Sequence, residues 1–228
     1  YARVDTVKDD MLAKLRAAGF NWLALGIESG SEHVRDGAEK SFSSQDINGL
    51  LSGRSWSSLN VTFSFPTSAS VYPVGYYDQS ALTNGFQALS AAQQTVARYA
   101  LGLISSYTQL TFTERTETLE TPAQIRIAAS AYPSTSYAYY PSNVPNYGGD
   151  IFFGNIRNDP TTKGSYAFST FLHEIGHAVG LKHGHTTDTN PNNSAYGVLP
   201  TNHNSTEWSV MTYMSYIGAD TFYNNADG

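Results

Sequence analysis

"HEIGHAVGLKHGH" (His173–His185) holds four of the six histidines in a chain of 228 residues. On a helix, His173 and His177 are four apart and lie on one face, one turn above the other, so their imidazoles can converge on a point. Gly180 follows three residues after His177, and glycine takes positive φ at little steric cost, so the helix is expected to end there. A sharp turn at Gly180 then brings His183 back under the first pair. Zinc accepts neutral imidazole nitrogen at about 2.0–2.1 Å in near-tetrahedral geometry, and three protein ligands leave a fourth position for water, the pattern of a catalytic site. Glu174, beside the first ligand, points at that open position and can take a proton from the bound water, whose pKa the metal lowers. Two histidines four apart occur on many amphipathic helices. The glutamate, the glycine and the third histidine, each at the required spacing, do not follow from amphipathicity. His185 reads as a loop residue, and His203 and His33 carry no special signal.

The rest of the composition fits around this site. Charged residues make up 14% of the chain, against the roughly 25% usual for soluble domains, and Tyr (16) and Gly (19) are frequent. A surface made polar by Ser, Thr, Asn and Tyr suits a secreted protein. The chain has no cysteine, which excludes disulfides, thiolate metal sites, cysteine nucleophiles and cysteine-ligated iron–sulfur clusters. Net charge is −6 and no basic stripe appears, so nucleic acid is not an expected partner. No stretch approaches the roughly 20 apolar residues of a membrane span. The opening "YARVDTVKDD" has no apolar core of a signal peptide, so the expectation is either a mature form or export by a signal elsewhere, for example beyond the C-terminus.

Two textures divide the chain. In residues 1–40, "KDDMLAKLRAAGF" reads as a helix ended by Gly19, "NWLALGIESG" as a short buried strand, and "SEHVRDGAEK" as a helix capped by Ser31. From about Ser41 the pattern is short and alternating. "NVTFSFP" (Asn60–Pro66), "TFTER", "AQIRIAAS", "SYAYYPSN" and "DIFFGN" read as strands. "SAAQQTVARYALGLISSYTQL" (Ser90–Leu110) reads as a helix capped by Ser90, with Val96, Tyr99, Ala100, Leu103 and Ile104 on one face. "STFLHEIGHAVG" is a second helix, and an irregular Asn/Thr/Gly/Pro region follows to about Thr206. This order predicts an α/β (α+β) fold on a mixed, twisted sheet.

"HEIGHAVGLKH" resembles the elongated zinc motif of metzincin endopeptidases. "EWSVMTYMSY" resembles their Met-turn, with Met211 as its methionine. Tyr213, two residues later, matches the tyrosine of serralysins and astacins. "VTFSFP", the Ser90 helix, "SYAYYPSN" and "GGDIFF" resemble serralysin segments in the same order, so the resemblance covers residues 41–228. It implies a metzincin catalytic domain: a twisted mixed five-stranded sheet, two long helices and an irregular C-terminal lobe below a zinc cleft. It implies His173, His177 and His183 as ligands of one Zn2+ and Glu174 as general base. Tyr213 would be a resting fifth ligand and an oxyanion donor, and Met211 a hydrophobic floor. The strand Ser136, Tyr137, Ala138, Tyr139, Tyr140 would be the antiparallel edge to which an extended protein or peptide substrate adds itself. The implied protein is a bacterial secreted, extracellular zinc endopeptidase of broad specificity.

The match has two limits. Serralysins continue into a further helix, glycine- and aspartate-rich repeats that bind Ca2+, and a secretion signal. None of these is present, so the expectation is a catalytic domain truncated before them, with calcium confined to the absent repeats and that repeat fragment as a partner. Residues 1–40 instead resemble part of the barrel of radical S-adenosylmethionine enzymes, at "GIESGSE", without the three cysteines their cluster needs. A fused segment, a docked extension with a coincidental match and a pro-segment that places Glu28, Glu32 or Asp36 on the zinc all remain open. The rival to an active enzyme is a latent or catalytically silent metzincin serving as a zinc-stabilised binding module.

Overall fold

All six residues of the strand Ile125–Ser130 are buried, as befits the centre of a sheet covered on both faces. The computed structural model describes residues 43–132, 134–142, 147–185, 196–206 and 208–214. The readings of residues 1–40 lie outside the described residues. In chain order the elements are α1 (Ser44–Leu50), β1 (Asn60–Ser64), a 3-10 turn (Ala69–Val71), α2 (Gln79–Thr83), β2 (Phe86–Gln87), α3 (Ala91–Tyr107), β3 (Thr111–Glu114), β4 (Ile125–Ser130), β5 (Tyr137–Ala138), β6 (Ile151–Phe153) and α4 (Tyr166–Ala178).

The sheet order is β3-β1-β4-β6-β5, with β2 attached to β4. The β1–β3, β1–β4 and β4–β6 pairs are parallel, while β5 runs antiparallel to β6 and β2 antiparallel to β4. The fold is therefore mixed α/β, and the five expected strands are joined by the two-residue β2. β5 is the antiparallel edge strand expected at Ser136–Tyr140. Its regular part covers Tyr137–Ala138, and pairing continues as the Tyr139 N–H donates to the Asp150 carbonyl (3.0 Å) and the Gly149 N–H to the Tyr140 carbonyl (3.2 Å).

Side chains alternate across a strand, and the two faces carry different cores. Val61, Phe63, Ile125, Ile127, Ala129, Ile151 and Phe153 form one cluster with Ala97, Ala100 and Leu101 of α3 and Ala167, Phe171 and Ile175 of α4. The Phe153 and Phe171 rings stack at 3.8 Å. Ala128 and Phe152 belong to a second cluster with Tyr72, Tyr76 and Ala81.

Ser90 caps α3 in a reciprocal box: its hydroxyl accepts the Gln93 N–H and the Gln93 side chain accepts the Ser90 N–H. The buried face is Gln93, Val96, Ala97, Ala100 and Leu101. This corrects the expected stripe at one position, for Tyr99 is 38% exposed; Val96 and Ala100 are buried as expected, and the small Ala97 joins them. α4 begins earlier than "STFL" suggests, because Ser165 caps it by accepting the Phe168 N–H. At its other end, the Trp56 indole donates to the Ala178 carbonyl (3.0 Å), one of the acceptors a helix end leaves without partners.

Candidate metal centre

α4 places His173 and Glu174 on one turn and His177 on the next, and the way it stops places His183. The Gly180 N–H donates to the His177 carbonyl (2.9 Å) and the Leu181 N–H to the Gly176 carbonyl (2.9 Å). This is a Schellman ending. Gly180 has φ of +107°, and a Cβ there would lie 2.3 Å from the Arg54 carbonyl oxygen. Only glycine fits this turn, as the sequence predicts.

The turn brings the three imidazoles to one point. Their Nε2 atoms lie 3.0, 3.0 and 3.1 Å from one another, and among the described residues they form the group able to hold a metal ion. The other ring nitrogens fix the tautomers. His173 Nδ1 lies 2.7 Å from the Val210 carbonyl and His177 Nδ1 2.7 Å from the Leu181 carbonyl. Carbonyls only accept, so each Nδ1 carries the hydrogen and each Nε2 presents a lone pair. Three close nitrogens then share at most one N–H, and a cation at their common point would relieve the lone-pair repulsion. Burial favours the neutral form as well: it lowers all three histidines, His177 and His183 to about 3. Neutral imidazoles converging from three sides suit zinc.

Glu174 is 5% exposed, and its Oε2 has no hydrogen-bond partner. Burial pushes its carboxyl up to about 8. It lines, with His173 and Tyr213, a cleft of about 540 Å³ whose other walls include Ser136, Asn155, Tyr166, Thr170 and Thr212. The Tyr213 ring packs on His173 (5.7 Å) and His183 (4.4 Å), and burial, then Glu174, raises its phenol to about 12. Met211 is buried beneath α4. A Cβ on Gly176 would lie 2.5 Å from its sulfur, so the motif's first glycine is the space Met211 occupies.

The edge strand divides. Ser136 reaches the cleft and Tyr140 lies beside the His177 ring (5.6 Å). The Tyr137 and Tyr139 hydroxyls instead donate to the Asp78 carboxylate, so these two side chains anchor the strand to α2, and Ala138 packs against the core. His185, read as a plain loop residue, lies parallel to the His183 ring at 5.4 Å. His203, which carried no signal, pairs with Asp46 at 2.6 Å. Nothing in the sequence marks Val210 and Leu181 as orienting groups, because they act through backbone carbonyls.

No family model matches the chain. It is 31% identical over 180 residues to Serralysin C of Dickeya chrysanthemi, covering 75% of this chain and 36% of that one. Serralysin A of the same organism is 30% identical over 165 residues, 69% of this chain and 32% of that one. Metalloprotease AprA of Pseudomonas entomophila (strain L48) is 25% identical over 178 residues, 73% and 36%. The chain is similar to serralysins. It spans about a third of the length of these curated relatives. Together with the three-histidine group, these likenesses support a serralysin-like metalloprotease.

Proposed function

We propose that residues 41–228 are the catalytic domain of a secreted zinc endopeptidase of serralysin type. The observation that carries this reading is a buried carboxyl group with an unpartnered oxygen, Glu174, lining the same cleft as His173, one of three histidines whose Nε2 atoms converge. His173, His177 and His183 would hold the ion through Nε2. Zinc, when bound, supplies a Lewis acid that polarises a peptide carbonyl and lowers the pKa of water. Glu174 would accept a proton at Oε2 from the attacking water and return it to the leaving amine. Its burial removes competing solvent and strengthens its basicity. Tyr213 would donate its hydroxyl to the carbonyl oxygen as charge develops there. Met211 would support the ion's protein cage by packing alone.

An extended protein or peptide segment would pair with the outer side of β5, the sheet's last strand, along Ser136–Tyr140. Recognition through backbone makes the substrate class broad. Among the described residues no helix is long and apolar enough to cross a membrane.

The test is casein hydrolysis by the whole chain, before and after chelation, with zinc then restored. Activity that disappears and returns supports the proposal. A chain that holds one equivalent of zinc and cleaves nothing would overturn the endopeptidase reading.

A further inference from the structure

α4 fixes two of the candidate ligands, but His183 lies beyond Gly180, outside the helix. A short segment ahead of β1 braces that stretch. Leu51 bridges Leu181 in antiparallel fashion. The Lys182 N–H donates to the Leu50 carbonyl (2.7 Å), and the Ser52 N–H to the Gly180 carbonyl (2.9 Å). The Ser52 hydroxyl donates to the same Gly180 carbonyl at 2.7 Å. The Lys182 ammonium, 2% exposed, donates to the Gly49 carbonyl at 2.6 Å and lies 3.5 Å from the carbonyl of His183 itself. One helical turn before Gly49, Asp46 accepts from His203 at 2.6 Å, and His203 stacks on Trp208 at 3.9 Å. The loop is also tied to the methionine turn, as the Gly184 N–H donates to the Met211 carbonyl (3.3 Å).

We infer that residues 46–52 form a clasp that sets the position of His183 relative to His173 and His177. Ser52, Lys182 and the Asp46–His203 pair are its positioning residues. This rests on the zinc reading above, but concerns residues that touch neither the imidazole Nε2 atoms nor the cleft. A buried ammonium is costly unless its hydrogens find acceptors. Lys182 therefore strongly favours the arrangement in which Gly49 is present, and that arrangement carries the adjacent His183 with it. Groups that orient metal ligands from behind typically affect metal affinity 10–100-fold.

The experiment uses the full chain with Ser52→Ala, which removes one hydroxyl and keeps the backbone bond, and Lys182→Met, which keeps the apolar stem. Zinc affinity is measured by competition with a chromophoric chelator. The visible spectrum of the Co2+-substituted protein reports ligand geometry, and near-UV circular dichroism reports packing. The expected result is native packing, roughly 10–100-fold weaker zinc binding, and an altered cobalt band. Folded variants that match wild type in zinc affinity and cobalt spectrum would overturn the clasp. So would loss of near-UV signal with and without zinc, because the segment would then serve the whole fold. A wild-type chain that takes up no zinc defeats the proposed function itself; wild type and variants binding zinc equally defeats only the clasp.

Discussion

The sheet separates two groups of buried ionisable side chains that are resolved in opposite ways. On the face covered by α2 and the 3-10 turn, Arg126 donates to Glu117 (2.5 Å) and Asp150 (3.2 Å). Asp150 also accepts from the Tyr76 hydroxyl (2.8 Å) and the Arg126 N–H (2.9 Å). Glu117 accepts from Ser64 (2.6 Å) and the Ala123 N–H (3.3 Å). Both carboxylates find their partners within the protein. At the end of α4, three imidazole Nε2 atoms meet within 3.0–3.1 Å of one another, and Glu174 Oε2 has no partner. An unpartnered buried polar group destabilises a fold, so Glu174, beside a histidine group that could hold a metal ion, leaves room for an external ligand. The closed group is satisfied within the fold, and the open one is the group to which the proposed function assigns chemistry.

Glu174→Gln attacks that distinction most directly. It keeps the shape and removes the base, so hydrolysis should fall by roughly 10²–10⁴-fold while zinc affinity stays near wild type. Because the carboxylate makes no bond at Oε2, the thermal midpoint should not drop. A large loss of stability would mean that Glu174 belongs with the structural group.

Arg126→Met should do the reverse. Removing one partner of a buried charge network costs about 3–5 kcal/mol, read as a lower denaturant midpoint. Hydrolysis per folded molecule should hold. Parallel losses of stability and activity at equal folded fraction would show that the two faces are coupled.

Gly176→Ala probes the packing beneath the open site. Its new methyl would meet the Met211 sulfur at 2.5 Å, and overpacking of this kind costs about 1–3 kcal/mol. Because Met211 is followed two residues later by Tyr213, activity should fall by more than the folded fraction does. An activity loss that only tracks unfolding would reduce Met211 to an ordinary core residue.

The open site was far more legible in the sequence than the closed one, and the reason is separation along the chain. His173, His177, Gly180 and His183 lie within eleven positions, so helical periodicity and one glycine turn suffice to bring them together. Arg126 and Asp150 are 24 residues apart, and Asp46 and His203 are 157 apart; no local periodicity connects them. Strand positions were legible from alternation, whereas α1, α2 and β2 were missed because they are short and held by tertiary contacts. The face of α3 was misread around Tyr99, since hydrophobicity favours the large ring where packing against α4 favours Ala97.

A third charge pair tests whether burial, not charge, sets the scale. Arg98 Nε lies 2.6 Å from Glu114, a distance close to that of the Arg126–Glu117 pair, but the side chains are 43% and 42% exposed rather than 6% and 2%. The hydrogen bond from Arg98 holds the Glu114 carboxyl below its ordinary value. A carboxylate whose pKa is lowered on folding contributes stability above its unfolded pKa, near 4.5. That contribution disappears as pH falls through the folded value. Solvent screens the pair, so the contribution should be about 0.2–1 kcal/mol. Thermal midpoints of wild type and Glu114→Gln, followed from neutral pH down through that range, should differ slightly at the top and converge at the bottom. A gap at neutral pH as large as that of Arg126→Met would mean that geometry alone sets the energy of an arginine–glutamate pair. Convergence on a small gap leaves enclosure as the variable that separates the two arginine–glutamate pairs.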